Sequence, residues 1–86
     1  MGLLNRISDI WLGGPQEEAL RMIDDFRFEY ASYLNLDDMH YVYDLINDRQ
    51  YEEAFYAIQE YSDVIHEADM RLILRLLQEA NMEYNI

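Results

Sequence analysis

The chain has no cysteine, no lysine and no threonine, and only one proline and three glycines among its 86 residues. Without cysteine there is neither a disulfide framework nor a thiolate metal site. Without lysine, the nucleophile candidates reduce to Ser8, Ser32 and Ser62, none of which stands in a glycine-flanked elbow. Long apolar runs are missing as well: none approaches the roughly 18 residues of a membrane helix, and no membrane association is expected. The opening MGLLNRISDIWLGG lacks the basic stretch and long apolar run of a secretory signal. Position 6, where myristoylation requires Ser or Thr, holds Arg6. The expected compartment is the cytoplasm.

What the chain has in excess is acid. Eighteen Asp and Glu face six Arg, a formal charge of −12. Hydrophobic residues make up 51% of the chain, so it is not a disordered acidic tail, and its length suits one domain, 1–86, around a single modest core. Such a charge repels nucleic acid and anionic membranes and draws basic partners by electrostatic steering. Binding of DNA or RNA by the chain itself is therefore not expected. An acidic surface also serves plain solubility, so where the acids sit decides between the two roles.

Apolar residues recur with helical spacing throughout. Leu3, Leu4, Ile7, Ile10 and Trp11 form one stripe; Ala19, Ile23, Phe26, Tyr30, Tyr33 and Leu34 form a second. Met39, Val42, Leu45 and Ile46 make a third, Ala54, Phe55, Ile58, Tyr61 and Ile65 a fourth, and Met70, Ile73, Leu74, Leu76, Leu77 and Ala80 a broad fifth. Gly13-Gly14-Pro15 separates the first two, with Pro15 suited to a helix start. Asp37 is an N-cap candidate after the Asn35-Leu36 break. The pattern predicts an all-α fold, a compact bundle of four to five short antiparallel helices near 3–12, 16–34, 37–48, 51–65 and 68–81. It contains no sheet and no evident internal repeat, and Trp11 is expected against the last helix.

Catalytic equipment is sparse. A phosphate cradle at Gly13-Gly14-Pro15 is opposed by Glu17 and Glu18, which repel an anion where a helix start would attract it. Asp37, His40 and Asp44 share a helix edge, but a divalent site needs three or more convergent ligands, usually from more than one element. Solvated surface side chains account for them. His66, at a helix boundary, reads as a cap or a loop residue. No metal, cofactor or catalytic site is expected, and the chain reads as a binding protein and not an enzyme.

DRQYEEAFYAIQEYSDV, residues 48–64, shows where binding would reside. On a helical wheel Tyr51 and Tyr61 share the arc of Ala54, Ile58 and Ile65, which makes them core residues. Tyr56 falls opposite, among Glu52, Glu53, Gln59, Glu60 and Asp63, and Tyr41 likewise sits among Asp37, Asp44 and Asp48. An aromatic anchor ringed by acids is the pattern of a protein–protein hot spot. The expected partner-binding surface is Asp37, Tyr41, Asp44, Asp48, Glu52, Glu53, Tyr56 and Glu60. Phe28, beside Asp24 and Asp25, is the next candidate.

The second half of the chain also resembles a known family. The segments Val42-Tyr43-Asp44-Leu45-Ile46, Tyr51-Glu52-Glu53-Ala54, Val64-Ile65-His66-Glu67 and Leu72-Ile73-Leu74-Arg75-Leu76-Leu77 look like the small acidic helical immunity proteins of bacterial polymorphic toxin systems. The Maf-type and contact-dependent-growth-inhibition types are the most similar; residues 1–36 share only their general character. The resemblance implies an antitoxin that forms a 1:1 complex with one cognate toxin domain, commonly a basic nuclease, and acts by occupying its surface. The competing reading is an acidic DNA mimic or adaptor that occupies a DNA-binding protein. A mimic spaces its carboxylates like phosphates over a long surface, whereas here the acids gather around aromatics and alternate with Arg21, Arg27, Arg49, Arg71 and Arg75.

Overall fold

Four helices appear in the computed structural model, which describes residues 14–85: α1 (Gly14–Glu29), α2 (Leu36–Asn47), α3 (Tyr51–Gln59) and α4 (Glu67–Tyr84). No strand occurs among the described residues. The helix expected near 3–12, and with it Trp11, lies outside them. Each helix turns one stripe inward: Ala19, Ile23 and Phe26 from α1, Met39, Val42 and Ile46 from α2, Ala54 and Ile58 from α3, and Ile73, Leu76 and Leu77 from α4. No polar or charged residue is buried among the described residues, so burial of apolar surface is the main force closing this core. The helices form a ring in which α1 packs on α2 and α4, and α3 packs on the same two.

The helix ends explain where the expected boundaries shift. The N-cap of α2 is Asn35 and not Asp37: its side-chain oxygen accepts from the N–H groups of Asp37 and Asp38 at 2.8 and 3.2 Å. The capping oxygen must precede the first turn, and Asp37 already lies inside it. His66 caps α4 in the same way, its Nδ1 accepting from the Ala68 N–H at 3.2 Å. At the end of α2, the Gln50 N–H donates to the Leu45 carbonyl at 2.8 Å and the Arg49 N–H to the Ile46 carbonyl at 3.1 Å. That is a Schellman turn, with Arg49 at φ 64° in the left-handed place where glycine is usual. A side chain there costs about 1–2 kcal/mol; the Arg49 guanidinium lies over the Tyr84 ring, 5.6 Å from its centre, which offsets part of it.

α1 and α3 both stop short of the expected residues 34 and 65, and in the same manner. The Tyr30 carbonyl accepts from the N–H groups of Tyr33 and Leu34, and the Tyr61 carbonyl from those of Val64 and Ile65. Leu34 and Ile65 stay buried, but the tightened turn swings Tyr33 out to 72% exposure. Tyr33 is thus a surface residue and not a member of the core stripe, because the helical phase that placed it inward ends at Glu29.

This shared geometry goes with a faint 31-residue correspondence that the apolar pattern does not show. Glu29-Tyr30 recurs as Glu60-Tyr61, Asp38-Met39 as Asp69-Met70 and Leu45 as Leu76, each 31 residues on. The matching positions fall on two helix pairs, α1–α2 and α3–α4, and the ties between the pairs cross. Tyr30 donates its hydroxyl to Asp69 Oδ2 at 2.8 Å, and Tyr61 donates its own to Asp38 Oδ2. Exchanging the pairs maps one bond onto the other. Tyr30 also accepts from the His66 N–H at 3.0 Å, so a single phenol joins the end of α1 to the start of α4.

Both phenols are held protonated beyond the ordinary tyrosine value of 10.0. Burial raises Tyr30 most, with Asp69 adding to the rise and the His66 N–H acting the other way; for Tyr61 the hydrogen bond to Asp38 leads, followed by burial. A folded value above the unfolded one means a contribution fully present below about pH 10 and lost as pH climbs through the folded-state value. Stability is therefore expected to fall on alkaline titration above about pH 10. Tyr30→Phe is expected to remove about 1–2 kcal/mol at neutral pH and to flatten part of that alkaline fall. Denaturant midpoints of both proteins across the pH range measure the two effects together.

Candidate protein-interaction surface

All eight residues expected to bind a partner are exposed: Asp37, Tyr41 and Asp44 on α2, Asp48 at its C-cap, Glu52, Glu53 and Tyr56 on α3, and Glu60 just past its end. Tyr41 and Tyr56 are 53% and 67% exposed, with no core role. Of the two tyrosines assigned to the core, Tyr51 is buried, whereas Tyr61 is only half-buried and is held at the surface by Asp38.

The two anchor tyrosines line different grooves. Between α2 and α3, Tyr41 and Tyr61 with Asp38 and Glu60 surround a groove of about 180 Å³ floored by Val42 and Ala57. On the other side of α3, Tyr56 and Glu52 line a groove of about 210 Å³ against α4, with Phe55 and Leu77 beneath. Tyr56 also meets Phe55 edge-on, ring centres 5.6 Å apart. Glu53 and Glu52 flank a third depression at the Arg49 turn. The surface is thus a ridge along α3 with an aromatic on each slope. Asp38, absent from the expected set, belongs to it through the Tyr41 groove; its recurrence as Asp69, each with a tyrosine partner, was the available signal.

Charge separates this ridge from the rest of the molecule. On α1, Arg21 lies 3.3 Å from Glu18 and Arg27 3.0 Å from Asp24; on α4, Arg71 lies 3.6 Å from Glu67 and Arg75 3.9 Å from Glu79. Such exposed pairs add little stability, but they neutralise their neighbourhood. Residues 35–65 carry eight acids, Asp37, Asp38, Asp44, Asp48, Glu52, Glu53, Glu60 and Asp63, against the single Arg49. Among the described residues none of the eight is in an ion pair with arginine, and only Asp44 has a basic neighbour, His40, at 3.6 Å. The repeat sharpens the contrast: Tyr41 and Asp44 in α2 correspond to Leu72 and Arg75 in α4, so one frame presents an acidic-aromatic face and an apolar face edged with arginine. Among the described residues Phe28 is the most exposed large apolar side chain, at 85%, but neighbouring Asp24 is already paired with Arg27.

Among the described residues no three His, Asp or Glu side chains gather in a way that would hold a metal ion, and Asp37, His40 and Asp44 do not converge. No described helix is long and apolar enough to cross a membrane. Compared with family models, with characterised proteins and with solved structures, the chain matches none.

Proposed function

We propose that the chain is an immunity protein that binds a basic cytotoxic protein domain, of the nuclease class, in a 1:1 complex in the cytoplasm and neutralises it by occupying its surface, without catalysis. The observation that carries this reading is the uncompensated acidic ridge of α2 and α3 with Tyr41 and Tyr56 standing on it. A nuclease must present cations to hold phosphates, and a ridge of carboxylates without arginine partners among the described residues, with two aromatic anchors, is complementary to such a surface. Two of the four segments that resemble toxin-immunity proteins, 42–46 and 51–54, fall on these two helices.

The docking reading has α2 and α3 running antiparallel, which presents Asp37 to Asp48 and Glu52 to Glu60 side by side. The three-residue turn at 48–50 and the bond between Tyr61, past the end of α3, and Asp38, at the start of α2, support that course.

The test is to look for a toxin gene immediately upstream, purify its toxin domain with this chain, and follow with nuclease and association assays. The complex is expected to abolish nuclease activity. Its association rate is expected to fall steeply with salt, as the Debye length shrinks from about 10 Å at 0.1 M to about 3 Å at 1 M. The purified chain alone is expected to leave DNA and RNA unshifted in a gel. A salt-independent association rate would reduce the acids to a solubilising role, and a complex with a DNA-binding regulator in place of a toxin would favour the mimic.

A further inference from the structure

The groove at Tyr41 is built from two matching helix edges. Asp38, Tyr41 and Val42 stand at i, i+3 and i+4 on α2, and Ala57, Glu60 and Tyr61 repeat that spacing across from them at the end of α3. The floor is apolar, with Val42 1% exposed and Ala57 half-buried. Two phenol rings and two carboxylates surround it. The Tyr61 hydroxyl donates to Asp38 Oδ2, which positions both groups and leaves Asp38 Oδ1 for another donor. Among the described residues neither Asp38 nor Glu60 is in an ion pair.

The 31-residue correspondence accounts for the space. The counterpart of Ala57 is Phe26, a buried ring set edge-on against Tyr30 with centres 5.6 Å apart. Next to Tyr61 the corresponding position carries only a methyl group, and Tyr41 takes the position of Leu72. One helix pair thus fills with a ring what the other leaves open beneath two phenols.

We propose that this groove is the seat of one arginine side chain of the basic partner. The volume, about 180 Å³, is below the roughly 300–1,000 Å³ of small-molecule sites, so it takes a single side chain. The aliphatic stem lies on Val42 and Ala57, the flat guanidinium faces the phenol rings, and its N–H donors reach the carboxylates of Asp38 and Glu60. A lysine ammonium offers neither the plane nor the fork. The seat deepens the proposed function and rests on that reading for its partner. It also separates Tyr41 from Tyr56, whose groove has the single acid Glu52.

The probe is n-propylguanidinium chloride, titrated at constant ionic strength and followed by NMR at the Ala57 methyl and the Tyr41 and Tyr61 rings. Those signals are expected to shift saturably, and n-butylammonium is expected to move them more weakly. Ala57→Phe, which fills the groove without removing a charge, and Glu60→Gln are both expected to suppress the response. Glu29→Gln removes one charge at the corresponding place on α1 and is expected to leave it unchanged. Far-ultraviolet circular dichroism and denaturant midpoints verify that the variants fold. Shifts that do not saturate, that spread evenly to Tyr56, that n-butylammonium matches, or that persist in both groove variants overturn the proposal. With the toxin domain, Ala57→Phe is expected to weaken binding at least about tenfold. Unchanged affinity in that variant overturns the arginine seat and leaves the immunity reading standing. Saturable probe binding with no toxin complex does the reverse, leaving the seat to another basic protein.

Discussion

Phe26→Ala is expected to remove about 3–5 kcal/mol of folding stability. The ring is 1% exposed at the centre of α1's inward face. It also meets Tyr30 edge-on, ring centres 5.6 Å apart at 71°, a geometry worth about 0.5–1.5 kcal/mol beyond area burial. Alanine therefore leaves a cavity and removes the support that holds the Tyr30 phenol toward Asp69. A domain of this length has on the order of 4–13 kcal/mol in total, so the variant stands near the unfolding threshold. Denaturant midpoints against a Tyr33→Ala control read the effect; the exposed Tyr33 is expected to change stability by no more than about 0.5 kcal/mol. Equal midpoints for the two variants would mean that α1 does not pack as described.

On the proposed toxin-binding reading, Tyr41→Ala and Tyr56→Ala are each expected to weaken binding by at least about 2 kcal/mol, close to 30-fold, where the residue is an anchor of the interface. Neither should disturb folding, since neither side chain reaches the core. Because the two line separate grooves on either slope of α3, their effects are expected to add in the double variant. Asp44→Lys and Glu53→Lys are expected to slow association more than they speed dissociation. Tyr51→Ala is the structural control: its ring is buried, and its loss should lower stability through a cavity. Tyr61→Ala is less clean, because it loses the Asp38 bond along with half-buried ring surface. Wild-type affinity in both Tyr41→Ala and Tyr56→Ala would move the docking face to Phe28, Asp24 and Asp25.

The periodicity of apolar residues disclosed four helices and nearly all of the core, because a buried stripe at 3.6 spacing has few alternative explanations. It failed at the turns for a physical reason. Tyr33 continues α1's phase by its spacing, but the chain leaves the helix at Tyr30 so that Leu34 stays inside and Asn35 becomes a cap. Those constraints come from α4, whose Asp69 and His66 hold the Tyr30 hydroxyl, and a wheel drawn on one segment contains no other segment. The same blindness hid the repeat. Its residues are few, and their meaning lies in bonds that cross between helix pairs. Exposure of Tyr41 and Tyr56 was legible, since both sit opposite a clear apolar arc. Their division between two grooves was not, because it depends on which neighbour flanks each side of α3.

The crossed ties between the two helix pairs also bear on how freely the chain could be re-ordered. The α2–α3 turn joins one helix pair to the next, and exchanging the pairs carries that junction to the place where the end of α4 meets the start of α1. Those two ends are in fact neighbours: Ala80, Glu83 and Tyr84 share a depression with Pro15 and Gln16, and Arg49 of the turn borders it as well. The connection at 48–50 is thus one of two equivalent ways of threading the same four helices. A circular permutant opened at 48–50, with residue 86 joined to residue 1 so that residues 1–13 form part of the new connection, would keep the four described helices as neighbours and both tyrosine–aspartate ties. The order of the helices along the chain is separable from the ridge they build.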